Sequence, residues 1–185
     1  MSDNEVIRLY LKTQESAYFS ILYKKYAGRV YAKCLSILKD EAMASDALQD
    51  IFMKILLNVG TFGEKSSFST WIYSITYNYC IDQVRRKKKE QNLFSEDIEN
   101  IRDVVEEDVP DEYLLELDVK KLRVVLDKLS TDDKTVLLMK YQDDMSIKEI
   151  ADTFDKTESA IKMKIKRAKY KAKELCSQLF KEDTL

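Results

Sequence analysis

Histidine is absent from this sequence of 185 residues, and glycine and proline are scarce, at three and one. Without histidine, Ser-His-Asp and Cys-His nucleophiles and histidine-bound metals are excluded. The few glycines leave little material for phosphate-binding loops, and no paired carboxylates lie near a glycine turn. An enzyme is therefore the least expected class, and we predict no catalytic residue, metal, cofactor or small-molecule substrate.

Three cysteines, Cys34, Cys80 and Cys176, lie far apart and form no C-x-x-C pair. Neither a zinc site nor a disulfide framework is expected from this spacing. The first residues lack the pattern of a secretion signal, and no apolar run approaches the ~20 residues that span a bilayer. We expect a cytoplasmic protein without membrane insertion.

Apolar residues recur at helical spacing in nearly every segment, which predicts an all-α fold. Helices are expected over roughly 4–12, 15–38, 41–58, 66–88, 112–128, 132–142, 146–153 and 157–179. The stretch before the sole proline, Pro110, is acidic and lacks this periodicity. We predict two small helical domains, 1–92 and 112–185, joined by an acidic linker at 93–111.

Charge is segregated along the chain, although 31 basic and 33 acidic residues nearly cancel. Residues 95–118 hold eleven acids and one base, whereas residues 119–185 hold sixteen bases and twelve acids. Such segregation indicates a surface that binds a polyanion and an acidic segment that can shield it.

The segment 146–169 has the pattern of a helix-turn-helix. Ser146 and Glu149 have capping-box spacing, and Thr157 can begin the second helix. Along that helix an apolar stripe comprises Ile161, Ile165, Ala168, Ala172, Leu175 and Leu179. Basic residues occupy the remaining arc: Lys162, Lys164, Lys166, Arg167, Lys169, Lys171 and Lys173. No acid interrupts this run between Glu158 and Glu174, which favours DNA contact over a merely solvated lysine-rich helix.

A second stripe lies beside the apolar face of the helix expected at 41–58. Its members combine acids and glutamine with large apolar side chains: Asp46, Gln49, Asp50, Met53 and Leu57. Solvated faces rarely present Met and Leu in this way, so the stripe suggests a protein interface. A larger core that covers both faces is equally consistent with the pattern.

Aromatic residues then cluster ahead of a basic run, Arg85 to Lys89. They are Phe62, Phe68, Trp71, Tyr73, Tyr77 and Tyr79. We expect Phe68 and Trp71 in the core and Tyr73 with Tyr77 nearer the surface. Aromatic rings beside cations are typical of single-stranded nucleic-acid binding, and Asn78 and the loop 60–66 add polar groups. The alternative is a tyrosine-rich core with a solvated basic helix end.

Four segments resemble the extracytoplasmic-function sigma factors of bacterial RNA polymerase. Asp46-Ala-Leu-Gln49-Asp-Ile-Phe52 resembles the family's D-x-x-Q-x-x-F helix, and Phe68-Ser-Thr-Trp71-Ile-Tyr-Ser-Ile resembles F-x-T-W-L-Y-x-I. Asn78-Tyr-Cys-Ile-Asp82-Gln-Val-Arg85-Arg86 resembles N-x-x-I-D-x-x-R-R. Ile147 to Lys169 resembles the family's final helix-turn-helix, with Asp155 in place of its turn glycine.

The resemblance implies a sigma factor that binds core polymerase and directs promoter-specific initiation. Its core contact would be with the clamp helices, through Asp46, Gln49, Asp50 and Met53. The −10 element would be melted and held by Phe62, Phe68, Trp71, Tyr77, Asn78, Arg85 and Arg86. The −35 duplex would be contacted by Ser159, Ala160, Lys162, Met163, Lys164, Lys166 and Arg167. The resemblance also implies an anti-sigma factor as partner, and a linker that threads toward the RNA exit.

Two other functions remain compatible with the residues themselves. A ligand-sensing DNA-binding repressor would need an apolar pocket within 1–92 and would bind duplex DNA unaided. An RNA-binding or scaffold protein would use the tyrosine and lysine surface but would not need the stripe from Asp46 to Met53.

Overall fold

The computed structural model describes residues 1–64, 66–90 and 108–180, and its regular secondary structure there is helical. The chain divides into an N-terminal unit, Met1–Gln91, and a C-terminal unit, Asn92–Leu185. The all-α fold predicted from the sequence is confirmed. Most of the expected linker at 93–111 lies outside the described residues. Across the described ranges, no helix combines the length and the apolar character needed to cross a membrane.

The N-terminal unit contains four α-helices, with bounds close to those predicted. They are α1 (Asp3–Thr13), α2 (Ser16–Leu38), α3 (Glu41–Asn58) and α4 (Phe68–Glu90), with a 3-10 turn at Val59–Thr61. Ser2 and Glu5 form a capping box at the start of α1, and the Asp40 side chain accepts from the Met43 amide to start α3. These side chains satisfy amide groups that have no partner within the helix.

Helix α2 is the centre of this unit and packs against α1, α3 and α4. Its buried side chains recur every three or four residues: Leu22, Tyr26, Val30, Lys33, Cys34 and Ile37. Burial of one such leucine contributes about 1.5–3 kcal/mol. Leu22→Ala, which would also leave a cavity, should cost about 2–5 kcal/mol.

Within residues 108–180, the C-terminal unit contains five α-helices, of which the long last one is central. They are α5 (Asp111–Glu116), α6 (Val119–Lys128), α7 (Thr131–Leu137), α8 (Ile147–Phe154) and α9 (Glu158–Leu179). Helix α9 packs against α6, α7 and α8. Its contacting face consists largely of Ile161, Ile165, Ala168, Ala172 and Cys176.

Three features of this unit differ from the sequence prediction. The helix expected over 112–128 is interrupted at Leu117, whose ψ is 139°, because Asp118 caps a new helix by accepting from the Lys120 amide. The helix expected over 132–142 becomes a π-helical turn from Leu138 onward. The apolar stripe of α9 ends at the buried Cys176, whereas Leu179 is exposed.

Candidate polymerase and nucleic-acid interfaces

Helix α3 has two faces of different kinds. Ala44, Ala47 and Ile51 belong to the buried face, which packs against α2 and α4. The predicted interface stripe lies outside that core, and all its members are exposed: Asp46, Gln49, Asp50, Met53 and Leu57. Met53 and Leu57 keep 56% and 75% of their surface exposed, respectively. No larger core covers this face in the described part of the chain.

Three aromatic rings meet where the loop before α4 joins that helix. The centroid of Phe62 lies 5.3 Å from that of Phe68 and 5.5 Å from that of Trp71. Phe68 and Trp71 stack at 5.6 Å. Phe68 is buried and also contacts Tyr26 edge-on, whereas Phe62 and Trp71 are half-buried. The cluster therefore has an anchored ring and two rings that reach solvent.

The loop itself is attached to α1 through Glu64. Nη2 of Arg8 lies 2.9 Å and 3.0 Å from the two carboxylate oxygens of Glu64, and Nε lies 3.2 Å from one of them. The amide of Asn4 adds a contact of 3.3 Å. The partners are 56 and 60 residues apart, so the local sequence pattern does not predict these contacts.

Tyr73 and Tyr77 are buried, so the prediction that they lie near the surface is wrong. Tyr77 has no exposed surface. The ammonium of Lys33, also buried, donates to the Tyr77 hydroxyl at 3.3 Å and lies 4.3 Å from the Tyr73 ring centroid. The reason is that α4 packs against both α2 and α3, which covers a wider arc than one apolar stripe implies. Tyr77 therefore offers no surface to a nucleic-acid base.

Further along α4, the predicted nucleic-acid residues are accessible. Asn78 is exposed one residue after the buried Tyr77, and Arg85 and Arg86 are exposed near the end of the helix. They extend the aromatic cluster into a polar and then a cationic surface. In proteins that bind single strands, aromatic side chains stack on bases and cationic side chains contact phosphates, so this order of surfaces suits a single strand.

The helix-turn-helix forms as its capping signals predict. Ser146 and Glu149 make a capping box at the start of α8, and the Thr157 hydroxyl accepts from the Ala160 amide at the start of α9. Between the helices, Asp155 has φ 51° and ψ 50°, the left-handed conformation that usually favours glycine. An aspartate can occupy this position, since it tolerates this conformation better than most residues.

The first turns of α9 present the predicted DNA-contacting side chains. Ser159, Ala160, Lys162 and Met163 are exposed, the last by 46%. Lys164, Lys166 and Arg167 are half-buried. The Lys164 ammonium lies 3.8 Å from carboxylate oxygens of Asp132 and Asp133, so part of its charge is already balanced within the unit.

Lys169 does not belong to the exposed basic arc expected from the sequence. It is buried, and its ammonium lies 2.6 Å from Asp111 and 3.9 Å from Asp108. The Tyr141 hydroxyl donates to the same Asp111 oxygen at 2.7 Å. The hydrogen bonds from Lys169 and Tyr141 hold the pKa of Asp111 below its ordinary value. The pattern of α9 does not distinguish this lysine from its basic neighbours, because its partner is 58 residues away.

Each of the two units matches a known protein-family model. The family model described as Sigma-70 region 2 matches residues 22–90, and that described as Sigma-70, region 4 matches residues 120–171. The chain belongs to the sigma-70 family. The region 2 match begins within α2, so α1 lies outside it, and the region 4 match extends from α6 into α9.

Three similar proteins are named as sigma factors, and the match covers most of the length of each. The chain is 28% identical to the ECF RNA polymerase sigma factor SigX of Bacillus subtilis, over 78% of this chain and 76% of that protein. It is 27% identical to SigW of the same organism, over 82% and 84% of the two chains. The sigma-E factor of Haemophilus influenzae is 29% identical, over 82% and 83%. The predicted resemblance to extracytoplasmic-function sigma factors is confirmed.

Solved structures support the fold of this sigma factor. The sigma factor RpoE in complex with the anti-sigma factor NepR, from Bartonella quintana, is 22% identical with a TM-score of 0.62, covering 89% of this chain and 98% of that one. CnrH in complex with the cytosolic domain of CnrY is 18% identical with a TM-score of 0.64, covering 95% and 97%.

Proposed function

We propose that this chain is a transcription initiation factor that brings core RNA polymerase to promoters and has no catalysis of its own. The observation that carries the proposal is the succession of a region 2 match and a region 4 match in one chain. We assign polymerase binding and the −10 element to residues 1–92, and the −35 element to residues 112–185. Since its work is done with RNA polymerase, we place it in the cytoplasm.

The polymerase contact is assigned to the exposed face of α3. Asp46, Gln49, Asp50 and Met53 would meet the clamp helices of the core enzyme. The support is the exposure of Met53 and Leu57 beside acids. An apolar centre with a polar rim is the composition that protein interfaces favour.

The −10 strand is assigned to the aromatic cluster and the loop 60–66. Phe62 and Trp71 can stack on an unpaired base, while the buried Phe68 holds them in place. Asn78 would supply a hydrogen bond to the base, and Arg85 with Arg86 would neutralise phosphates. Stacking of this kind is worth about 1–3 kcal/mol per base, which offsets the loss of pairing during melting.

The −35 duplex is assigned to the start of α9, because the first residues of a recognition helix meet base edges in the major groove. Ser159, Ala160 and Met163 are placed there for base contact, and the exposed Lys162 beside them for contact with a phosphate. Lys164, Lys166 and Arg167 would lie along the phosphates, with Lys164 contributing least because of its acidic neighbours.

Two further assignments extend the proposal. The acidic linker, 93–111, would follow the polymerase surface toward the RNA exit, since its eight acids and one base imitate nucleic-acid charge. An anti-sigma factor is the expected regulator. One structural neighbour, RpoE, is in complex with the anti-sigma factor NepR, and another, CnrH, is in complex with the cytosolic domain of CnrY. The anti-sigma factor would cover the α3 face and the basic surface of α9.

Run-off transcription tests the function directly. Purified protein is added to sigma-free core polymerase with a pool of genomic promoter fragments. Transcripts that depend on the protein would support initiation, and their start sites would reveal the −10 and −35 sequences. Absence of both core binding and transcripts, with a folded sample that binds duplex DNA unaided, would instead favour the repressor.

A further inference from the structure

The loop before α4 is held at two points that lie two residues apart. On one side Phe62 packs against Phe68 and Trp71. On the other, Glu64 is bound by Arg8 and Asn4 of α1. Glu64 also has a φ of 54°, which a residue with a side chain rarely adopts. A conformation of this kind persists when surrounding contacts determine it.

Helix α1 is aligned for this contact over more than one turn. Asn4 and Arg8 are four residues apart and therefore share one face, from which both reach Glu64. One turn further, Leu11 approaches the position that a β-carbon on Gly60 would occupy, at 3.7 Å. Helix α1 thus approaches the loop region at two places, Gly60 and Glu64.

We propose that α1 is a brace for the loop that holds the −10 base, with Arg8 as a positioning residue acting through Glu64. The inference rests on the proposed function, since it deepens the assignment of the loop to the −10 strand. Helix α1 lies outside the region 2 match, so the match assigns it no role, and the role proposed here is argued from the contacts of Asn4, Arg8 and Leu11. Arginine suits the task because its planar fork engages both carboxylate oxygens at once.

The consequence is a specific effect on base preference. A loop that loses its brace samples more conformations, so the correct base loses its advantage over the wrong ones. A cation that touches phosphate, by contrast, contributes about equally to every sequence. Exposed ion pairs contribute at most about 1 kcal/mol, so the preference should fall by up to about fivefold.

The test uses holoenzyme reconstituted from core polymerase and the full chain, on one active promoter whose −10 positions are randomised. Transcripts are sequenced to give the preference at each position. Arg8→Ala and Glu64→Ala should each lower the preference at one position, and the double variant should match the single ones. Arg8→Lys should fall between wild type and Arg8→Ala, because lysine keeps the charge and loses the fork. Lys12→Ala, which removes an exposed charge from the same helix, should leave the profile unchanged.

Three results would overturn the brace. They are an unchanged profile in Arg8→Ala, a uniform loss of transcription that Arg8→Lys fully restores, and additive effects in the double variant. Core affinity, measured in parallel, should stay at the wild-type value in every variant. Wild-type holoenzyme that gives no transcripts would refute the proposed function itself, and the brace with it.

Discussion

Tyr79 on α4 donates a hydrogen bond of 2.5 Å to Oδ2 of Asp50 on α3. The contact joins the helix assigned to the −10 strand to the face assigned to core polymerase. The ammonium of Lys54 lies 5.0 Å from the Tyr79 ring on the same side. Because a hydrogen bond to a carboxylate is charge-assisted, it keeps the exposed Asp50 side chain in one orientation.

Tyr79→Phe should therefore weaken binding to core polymerase. Loss of a pre-organised carboxylate is expected to cost about 1 kcal/mol, or about a fivefold rise in Kd. The measurement is a fluorescence titration of core enzyme with labelled protein. Tyr18→Phe, at another half-buried tyrosine, serves as the control. In an Asp50→Ala background the Tyr79 change should have no further effect, and an equal effect there would disprove the coupling.

Because of the same contact, the free energy of unfolding should depend on pH in the alkaline range. Burial and then the bond to Asp50 raise the pKa of Tyr79 to about 12. The folded chain thus favours the protonated phenol, so this contribution is complete below the ordinary value of 10.0 and is lost as pH rises toward about 12. Urea unfolding at several alkaline pH values, followed by circular dichroism, should show a smaller loss in Tyr79→Phe than in wild type. Parallel losses in the two proteins would contradict this origin.

Local chemistry explains why much of the fold could be predicted. Asp40, Ser146 and Thr157 each begin a helix by accepting a hydrogen bond from an amide three residues on, and this signal is complete within four residues of sequence. The exposed stripe on α3 was also visible, because apolar residues beside acids mark a face that the core does not use. What such signals could not decide was whether a second layer covered that face.

The failures concern side chains whose partners are distant in sequence. Tyr77 resembled a surface aromatic because the pattern of α4 does not reveal that two helices cover it. Lys33, 44 residues earlier, supplies a polar partner for its hydroxyl inside the core. In sequence, Lys169 has the same position in the basic run as its exposed neighbours, but in the fold it is paired with Asp111. In each pair, the spacing of apolar residues predicts which residues share a face of one helix, but it does not predict which side chain of another segment lies against that face.

Tyr77→Phe should preserve promoter selectivity, since the ring remains in the core while the hydroxyl contact with Lys33 is lost. Tyr77→Ala removes a fully buried ring and should destabilise the N-terminal unit by about 3–5 kcal/mol. Fluorescence of Trp71, the chain's single tryptophan, reports unfolding of this unit. A stable Tyr77→Ala protein with an altered −10 preference would show that Tyr77 contacts DNA after all.

Asp111→Ala should destabilise the C-terminal unit by about 1–3 kcal/mol, because the buried Lys169 loses the nearer of the two carboxylates that the structure describes beside it and keeps Asp108 at 3.9 Å. The lowered pKa of Asp111 means that its contribution is present above the ordinary value of 3.8 and is lost as pH falls below it. Urea unfolding followed by circular dichroism measures both effects. Glu112→Ala, at the exposed neighbour, should change neither, and a similar loss there would point to a general charge effect.

Lys162 and Lys169 lie on the same helix, yet loss of their charges should affect promoter binding differently. Lys162 is exposed in the first turns of α9, so Lys162→Ala should weaken promoter binding and lower the salt slope of the affinity by about one. Lys169→Met keeps an apolar stem in a buried position and should leave that slope unchanged.

The measurement is holoenzyme affinity for a promoter fragment over a range of salt concentrations. Lys120→Ala, an exposed lysine on α6, controls for loss of net charge in the same unit. A lower slope in Lys169→Met than in Lys162→Ala would mean that the ion pair with Asp111 opens when DNA binds. That result would place the C-terminal half of α9, rather than its first turns, against the phosphates.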